Sequence, residues 1–235
     1  MKIRVKFSKQ GNLRFVGHLD IMRYFQKANR RAEIPVKYSE GFSPHQIMSF
    51  AAPLGMGLES LAEYFDLRLT DESEGSVTSD GLMEALNREM ADGIRVESIG
   101  RLPDDAGNCM AIVHAADYRI RFLSGLSEGT AEALRRSVDS VNASDHILIK
   151  KKTKKGVEKE IDIRPLIRSL RAEEDGIFMR VSQGSENNLK PSAVWDALLK
   201  TEGSEAFSSL RTRTVRCELY DAEMKTLEEY GSRIA

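Results

Sequence analysis

"KIRVKFS", residues 2–8, and "GHLDIMRYFQKANRRAE", residues 17–33, decide how the rest of the chain is read. In the first stretch Ile3, Val5 and Phe7 alternate with Lys2, Arg4 and Lys6, the period of a half-buried strand. In the second, Ile21, Met22, Phe25, Ala28 and Ala32 form an apolar stripe at helical spacing. Asp20 suits the positive N-terminal end of that helix. Working outward, "IPVKY" and "QIMSFA" read as strands joined by "SEGFSPH", and "EYFDLRL" alternates again. "DGLMEALNREM" carries Leu82, Leu86 and Met90 on one helical face, with Gly93 as its expected stop, before the strand "IRVESI". The order β-α-β-β-(β)-α-β predicts a ferredoxin-like α+β sandwich.

After the linker-like "RLPDDAGNC", residues 101–109, the pattern recurs. "DYRIRFL" alternates and "SEGTAEALRRSVDSVN" reads as a helix. "HILIKKKTKKGVEKEIDI" reads as a hairpin turning near Lys155-Gly156. "RPLIRSLRA" reads as a short helix with Pro165 in its first turn. "GIFMRVS", "PSAVWDALLK" and "RTRTVRCELY" follow as strand, helix and strand, with Trp195 in the core. The expectation is two tandem ferredoxin-like (βαββαβ) domains, residues 1–104 and 112–235. It rests on pattern alone, since no residue-level repeat links the halves.

Composition narrows the function classes. The 235 residues are 41% hydrophobic and 30% charged, a globular balance. No apolar run approaches membrane-spanning length, and "MKIRVKFSKQ" has no secretory h-region, so a cytoplasmic protein is expected. Cys109 and Cys217 lie too far apart for a zinc or iron–sulfur motif, and no P-loop is present; no metal and no cofactor are expected. The net charge of −1 hides segregation. Residues 1–50 carry +7, residues 51–117 carry −10, residues 118–171 carry +6 and residues 172–235 carry −4.

The candidate site residues cluster at the start of the chain. Arg23, Lys27, Arg30 and Arg31 fall at i, i+4, i+7 and i+8, a basic ridge able to neutralise phosphates. No acidic residue is expected on that ridge. Arg14 and Lys37 flank it. The motif loop Tyr38, Ser39, Glu40, Gly41, Pro44 and His45 displays Phe42, an aromatic able to stack on a base or dock into a partner. "KKKTKKG" adds Lys152, Lys154 and Lys155, with Glu158, Glu160 and Asp162 expected opposite Lys154, Lys152 and Lys150. His18 and His45 are the candidate acid–base residues if their rings converge on one phosphodiester.

Several motifs are more specific together than apart: "LRFVGHLD" at 13–20, Arg30-Arg31 ahead of Pro35-Val36, "YSEGFSPH" at 38–45, "SFAAPLGMGLES" at 49–60 and "AEYFD" at 62–66. Over residues 2–67 they resemble the radical-SAM-linked protein family. This is a bacterial domain of unknown function, encoded beside or fused to a radical-SAM protein with a cobalamin-binding-type domain. "IDIRPLI" extends the resemblance more loosely into the second half. Gln46 stands where the family pattern leads one to expect a basic residue. The resemblance implies a cytosolic accessory protein with a radical-SAM enzyme as partner and RNA as a substrate class. The radical chemistry would lie in another chain, since this one has no such cysteine cluster.

The leading expectation is therefore an RNA-binding accessory protein without catalytic activity of its own. The alternatives are a protein–protein adaptor for the radical-SAM partner and a metal-independent RNA endonuclease using His18 and His45.

Overall fold

The computed structural model describes residues 1–152, 158–185 and 187–235 of the chain. It is a mixed α+β protein of mostly antiparallel strands, with six α-helices among the described residues. The chain divides into two compact units: Met1–His114 with Arg216–Ala235, and Ala115–Val215. The path leaves the first unit at His114 and returns to it at Arg216.

The first unit contains β1 (Lys2–Lys9), α1 (His18–Arg31), β2 (Met48–Phe50), β3 (Glu59–Arg68), α2 (Ser79–Arg88), β4 (Ile94–Arg101) and the single-turn α3 (Cys109–Ile112). Strand β1 lies between β4 and β3, antiparallel to both, and β2 pairs antiparallel with β3. Ile3, Val5 and Phe7 are buried as their alternation predicts. So are Ile21, Phe25 and Ala28 of α1. Phe7, Phe25, Phe50 and Phe65 meet with ring centroids 4.6 to 6.1 Å apart, and this aromatic knot joins β1, α1, β2 and β3. Thr78 caps α2, its Oγ1 accepting from Gly81 N–H at 3.0 Å. The helix ends at Arg88 with Glu89 as its cap, ahead of Gly93. Gly93 instead serves the turn into β4. Its φ is +93°, and a Cβ there would sit 2.6 Å from the Gln10 carbonyl oxygen.

The other face of β1 is also covered. Arg4 is buried and donates to both oxygens of Asp66, at 2.7 and 3.2 Å. It also reaches the Leu227 carbonyl at 3.1 Å. Lys6 pairs with Glu218 at 3.1 Å and Glu228 at 2.7 Å. Residues 216–235 thus complete the first unit. Ser232 exchanges two backbone hydrogen bonds with Arg101 on β4, at 2.7 and 2.9 Å. Ile234 N–H donates to Ser79 Oγ at 2.9 Å.

The second unit contains β5 (Ala115–Phe122), α4 (Glu128–Ala143), β6 (Leu148–Lys152), β7 (Glu158–Asp162), β8 (Ile167–Glu173), β9 (Gly176–Ser182), α5 (Pro191–Leu198), α6 (Glu205–Ser208) and the start of β10 (Thr212–Tyr220). The strand order is β10-β5-β9-β8, with β6 and β7 forming a separate hairpin. Two expectations are corrected here. Residues 164–172 are not a helix: a single 3-10 turn, Arg164–Leu166, leads into β8. A register shift between Ile167 and Ser169 puts the buried residues Ile167 and Leu170 three apart, which imitates helical spacing. In the β6–β7 hairpin Lys152 faces Glu158, Lys150 faces Glu160 and Leu148 faces Asp162. That is two residues off the expected register; the expected turn at Lys155-Gly156 lies outside the described residues. Trp195 packs against Phe122 and Phe207, at 5.9 and 5.8 Å.

Among the described residues no helix is long and apolar enough to cross a membrane.

Candidate nucleic-acid interface

The loop between Tyr38 and Gln46 is closed at its base. Ser39 N–H donates to the His45 carbonyl at 2.8 Å, and His45 N–H donates to Ser39 Oγ at 3.1 Å. Ser39 Oγ also lies 2.9 Å from His45 Nδ1. Gly41 turns the chain at φ +108°. The result is a small, pinned loop whose tip, Phe42, is fully exposed at 111% of its reference area, with Glu40 and Pro44 exposed beside it. Tyr38, at the loop base, is also exposed.

Gln46 connects this loop to α1. It is 5% exposed, and its Oε1 accepts from Asn29 Nδ2 at 2.9 Å. Its Nε2 donates to the Gln26 carbonyl at 2.9 Å and to the Tyr38 hydroxyl at 3.3 Å. Asn29 Oδ1 is buried without a hydrogen-bond partner among the described residues. The position where a basic residue was expected is therefore a neutral latch, holding the loop against the helix that carries the basic ridge.

The ridge itself is partly neutralised. Contrary to the expectation that no acidic residue shares the ridge, Asp20 lies 3.5 Å from Arg23 on the same helix, while Arg31 pairs with Glu89 of the acidic segment 51–117 at 2.6 Å. Lys37 pairs with Asp71 at 3.2 Å. Arg14 lies over the Phe15 ring at 4.5 Å, near Glu59 at 3.7 Å. Among the described residues, Lys27 and Arg30 have no ion pair within 4 Å, and both are exposed. They neighbour the latch residues Gln26 and Asn29 in sequence. Lys152 ends β6; Lys154 and Lys155 lie outside the described residues.

The two histidines have separate surroundings. His18, the first residue of α1, packs edge-on against Phe50, with ring centroids 5.4 Å apart. It lines a cavity of about 10 Å³ with Phe7, Lys9, Ile21, Phe50, Leu54 and Glu63, room for about one water. Burial lowers its pKa; Glu63 acts in the opposite sense, and Arg216 and Lys9 add to the lowering. His18 is thus neutral near pH 7. His45 is exposed and held by Ser39.

The sequence reading missed the ionic cluster beside His18. Arg216 is 2% exposed and donates to Glu63 at 2.9 Å, to the Ala52 carbonyl at 3.1 Å and to the Pro53 carbonyl at 3.2 Å. Lys9, also buried, donates to the Val16 carbonyl at 3.1 Å, and burial lowers its pKa. A signal existed: Lys9 continues the core-facing series Ile3, Val5, Phe7, and Glu63 precedes Phe65 and Leu67 on one strand face. Also missed was a row across the second unit's sheet, Arg119–Phe178–Arg171. The Arg171 guanidinium lies 3.6 Å from the Phe178 ring centroid. Its signal was an aromatic on the polar face of "GIFMRVS".

Neither cysteine sits in a cluster of ligating residues among the described residues. Cys109 is buried, and burial first and Asp66 second push its thiol up to about 12.

No curated protein matches the chain. Among solved structures it is similar to one titled "Crystal Structure of an Unknown Protein from Galdieria sulphuraria", at 10% identity over 92% of this chain and 97% of that one, with a TM-score of 0.28. A family model described as "Uncharacterized protein conserved in bacteria (DUF2344)" matches residues 2–191, which include α1, the Ser39–His45 loop, Gln46 and His18. The chain belongs to that bacterial family.

Proposed function

We propose that this protein is an RNA-binding accessory chain whose contact surface is α1 with the Ser39–His45 loop. The observation that carries this reading is the buried Gln46 latch. It fixes an exposed aromatic loop to the helix that bears Lys27 and Arg30, two exposed cations without ion pairs among the described residues. An exposed aromatic on a loop held to a cation-bearing helix suits a nucleic-acid strand, the ring for a base and the cations for backbone phosphate. Two phosphate contacts on a single strand correspond to a slope of log affinity against log salt of about −1.4.

Each unit is read here as a ferredoxin-like module. The orders β4-β1-β3-β2 and β10-β5-β9-β8 support this, as does the βαββαβ succession of β1-α1-β2-β3-α2-β4; β5-α4-β8-β9-α5-β10 follows the same pattern with the β6–β7 hairpin and α6 added. The motifs at residues 13–66 support a cytoplasmic role beside a radical-SAM enzyme, with the radical chemistry in that partner. The adaptor reading draws on a different observation. Phe15, Leu19 and Met56 are exposed around the start of α1, where Gly57 N–H donates to the Arg14 carbonyl at 2.8 Å.

The test is binding of purified protein to total cellular RNA across a salt series, beside a Lys27→Glu/Arg30→Glu variant. The expected result is a salt slope near −1.4 that the variant abolishes. A variant that binds RNA as the wild type does would sink the reading.

A further inference from the structure

We propose that the RNA taken at this surface is single-stranded, with one unpaired base stacked on Phe42 and its flanking phosphates on Lys27 and Arg30. This rests on the RNA-binding reading above and narrows it to one substrate class.

The shape of the loop carries the inference. Phe42 stands at the tip of a loop closed by three contacts between Ser39 and His45, and nothing in the protein covers its ring. A duplex keeps its base faces stacked inside the helix, so a protruding ring finds no partner on one. Unpaired bases offer their faces. The loop's charge argues the same way. Between Tyr38 and Gln46 the only side chain with a fixed charge is Glu40, and it is exposed. A loop built to press on the dense phosphates of a duplex would carry cations at its tip. Here the tip is aromatic and acidic, and the exposed cations Lys27 and Arg30 are on α1.

The latch makes the arrangement fixed rather than incidental. Gln46 follows His45 directly and is bonded to Gln26 and Asn29, the sequence neighbours of Lys27 and Arg30. The loop base is thus held against the helix that carries Lys27 and Arg30 before any ligand arrives, which lowers the ordering cost of binding. Stacking tolerates any base, so the site discriminates strandedness and not sequence.

The test is fluorescence anisotropy with a labelled 15-nucleotide adenine/uridine strand and with the same strand annealed to its complement. Wild type, Phe42→Ala, Phe42→Trp and Lys27→Glu/Arg30→Glu proteins are compared. The expected result is single-strand binding at least about 10-fold tighter than duplex binding, weakened about 10-fold or more by Phe42→Ala and retained by Phe42→Trp. Because Phe42 is fully exposed, its loss leaves folding intact. Equal affinity for both forms, unchanged by Phe42→Ala but abolished by Lys27→Glu/Arg30→Glu, overturns the single-strand proposal and leaves RNA binding standing. Binding of neither form overturns both.

Discussion

Replacing Gln46 with Leu keeps the side-chain volume and removes its amide. The change deletes two hydrogen bonds of 2.9 Å and one of 3.3 Å. Each contributes about 0.5–1.5 kcal/mol net, and a buried donor left unpaired costs about 1–3 kcal/mol. Asn29 would be the stranded residue. Its Oδ1 is already unpaired, so after Gln46→Leu neither end of its amide has a protein partner. We expect Gln46→Leu to destabilise the first unit by about 2–4 kcal/mol. Asn29→Leu should cost less, because it removes an unpaired buried oxygen along with the bond it breaks. The double variant should recover at least about 1 kcal/mol of the summed cost, since replacing both partners leaves no stranded polar group. Tryptophan fluorescence does not suit the measurement, because Trp195 lies in the second unit. Native-state hydrogen exchange of the α1 amides and of the Ser39 amide reads the first unit directly. A Gln46→Leu cost below about 0.5 kcal/mol, or a double variant no better than additive, would refute the latch.

Arg216→Met leaves Glu63 buried without its guanidinium and should destabilise the first unit by about 3–5 kcal/mol. Adding Glu63→Gln should return part of that in urea titrations followed by exchange at β3, and an additive double variant would count against the pair. The His18 pKa is lowered in the fold, so the unfolded chain takes up the proton first as pH falls below its ordinary value of 6.5. Stability from this group is present above pH 6.5 and is lost as pH falls toward the folded pKa. A pH series of unfolding free energies for wild type and His18→Phe should show the variant with the shallower slope below pH 6.5; parallel curves would contradict the burial argument.

Much of the first unit was legible because local period and tertiary burial agree there. Ile3, Val5, Phe7, Ile21, Phe25 and Ala28 read the same way in sequence and in space. The second face of β1 was not legible, because Arg4 is buried by Asp66 and by carbonyls of Gly107 and Leu227, residues 62 to 223 positions away. Period alone assigns a face but does not say what covers it. Strand β8 was hidden by its register shift, which spaces its buried residues as a helix would. At the candidate site, the loop and the ridge were visible as composition. Their junction was not, since Gln46 in a polar stretch looks like any surface amide until its partners Gln26 and Asn29 are known.

The return of residues 216–235 to the first unit has a consequence for synthesis on the ribosome. Chain growth is vectorial, so all of Ala115–Val215 is made before Arg216 exists to neutralise Glu63. The strand β4 must likewise wait for Ser232 before its edge is covered. The half of the protein that emerges first is therefore the half that is finished last. A nascent chain arrested near residue 215 would carry the Phe42 loop and α1 while Glu63, beside His18, still lacked the Arg216 guanidinium.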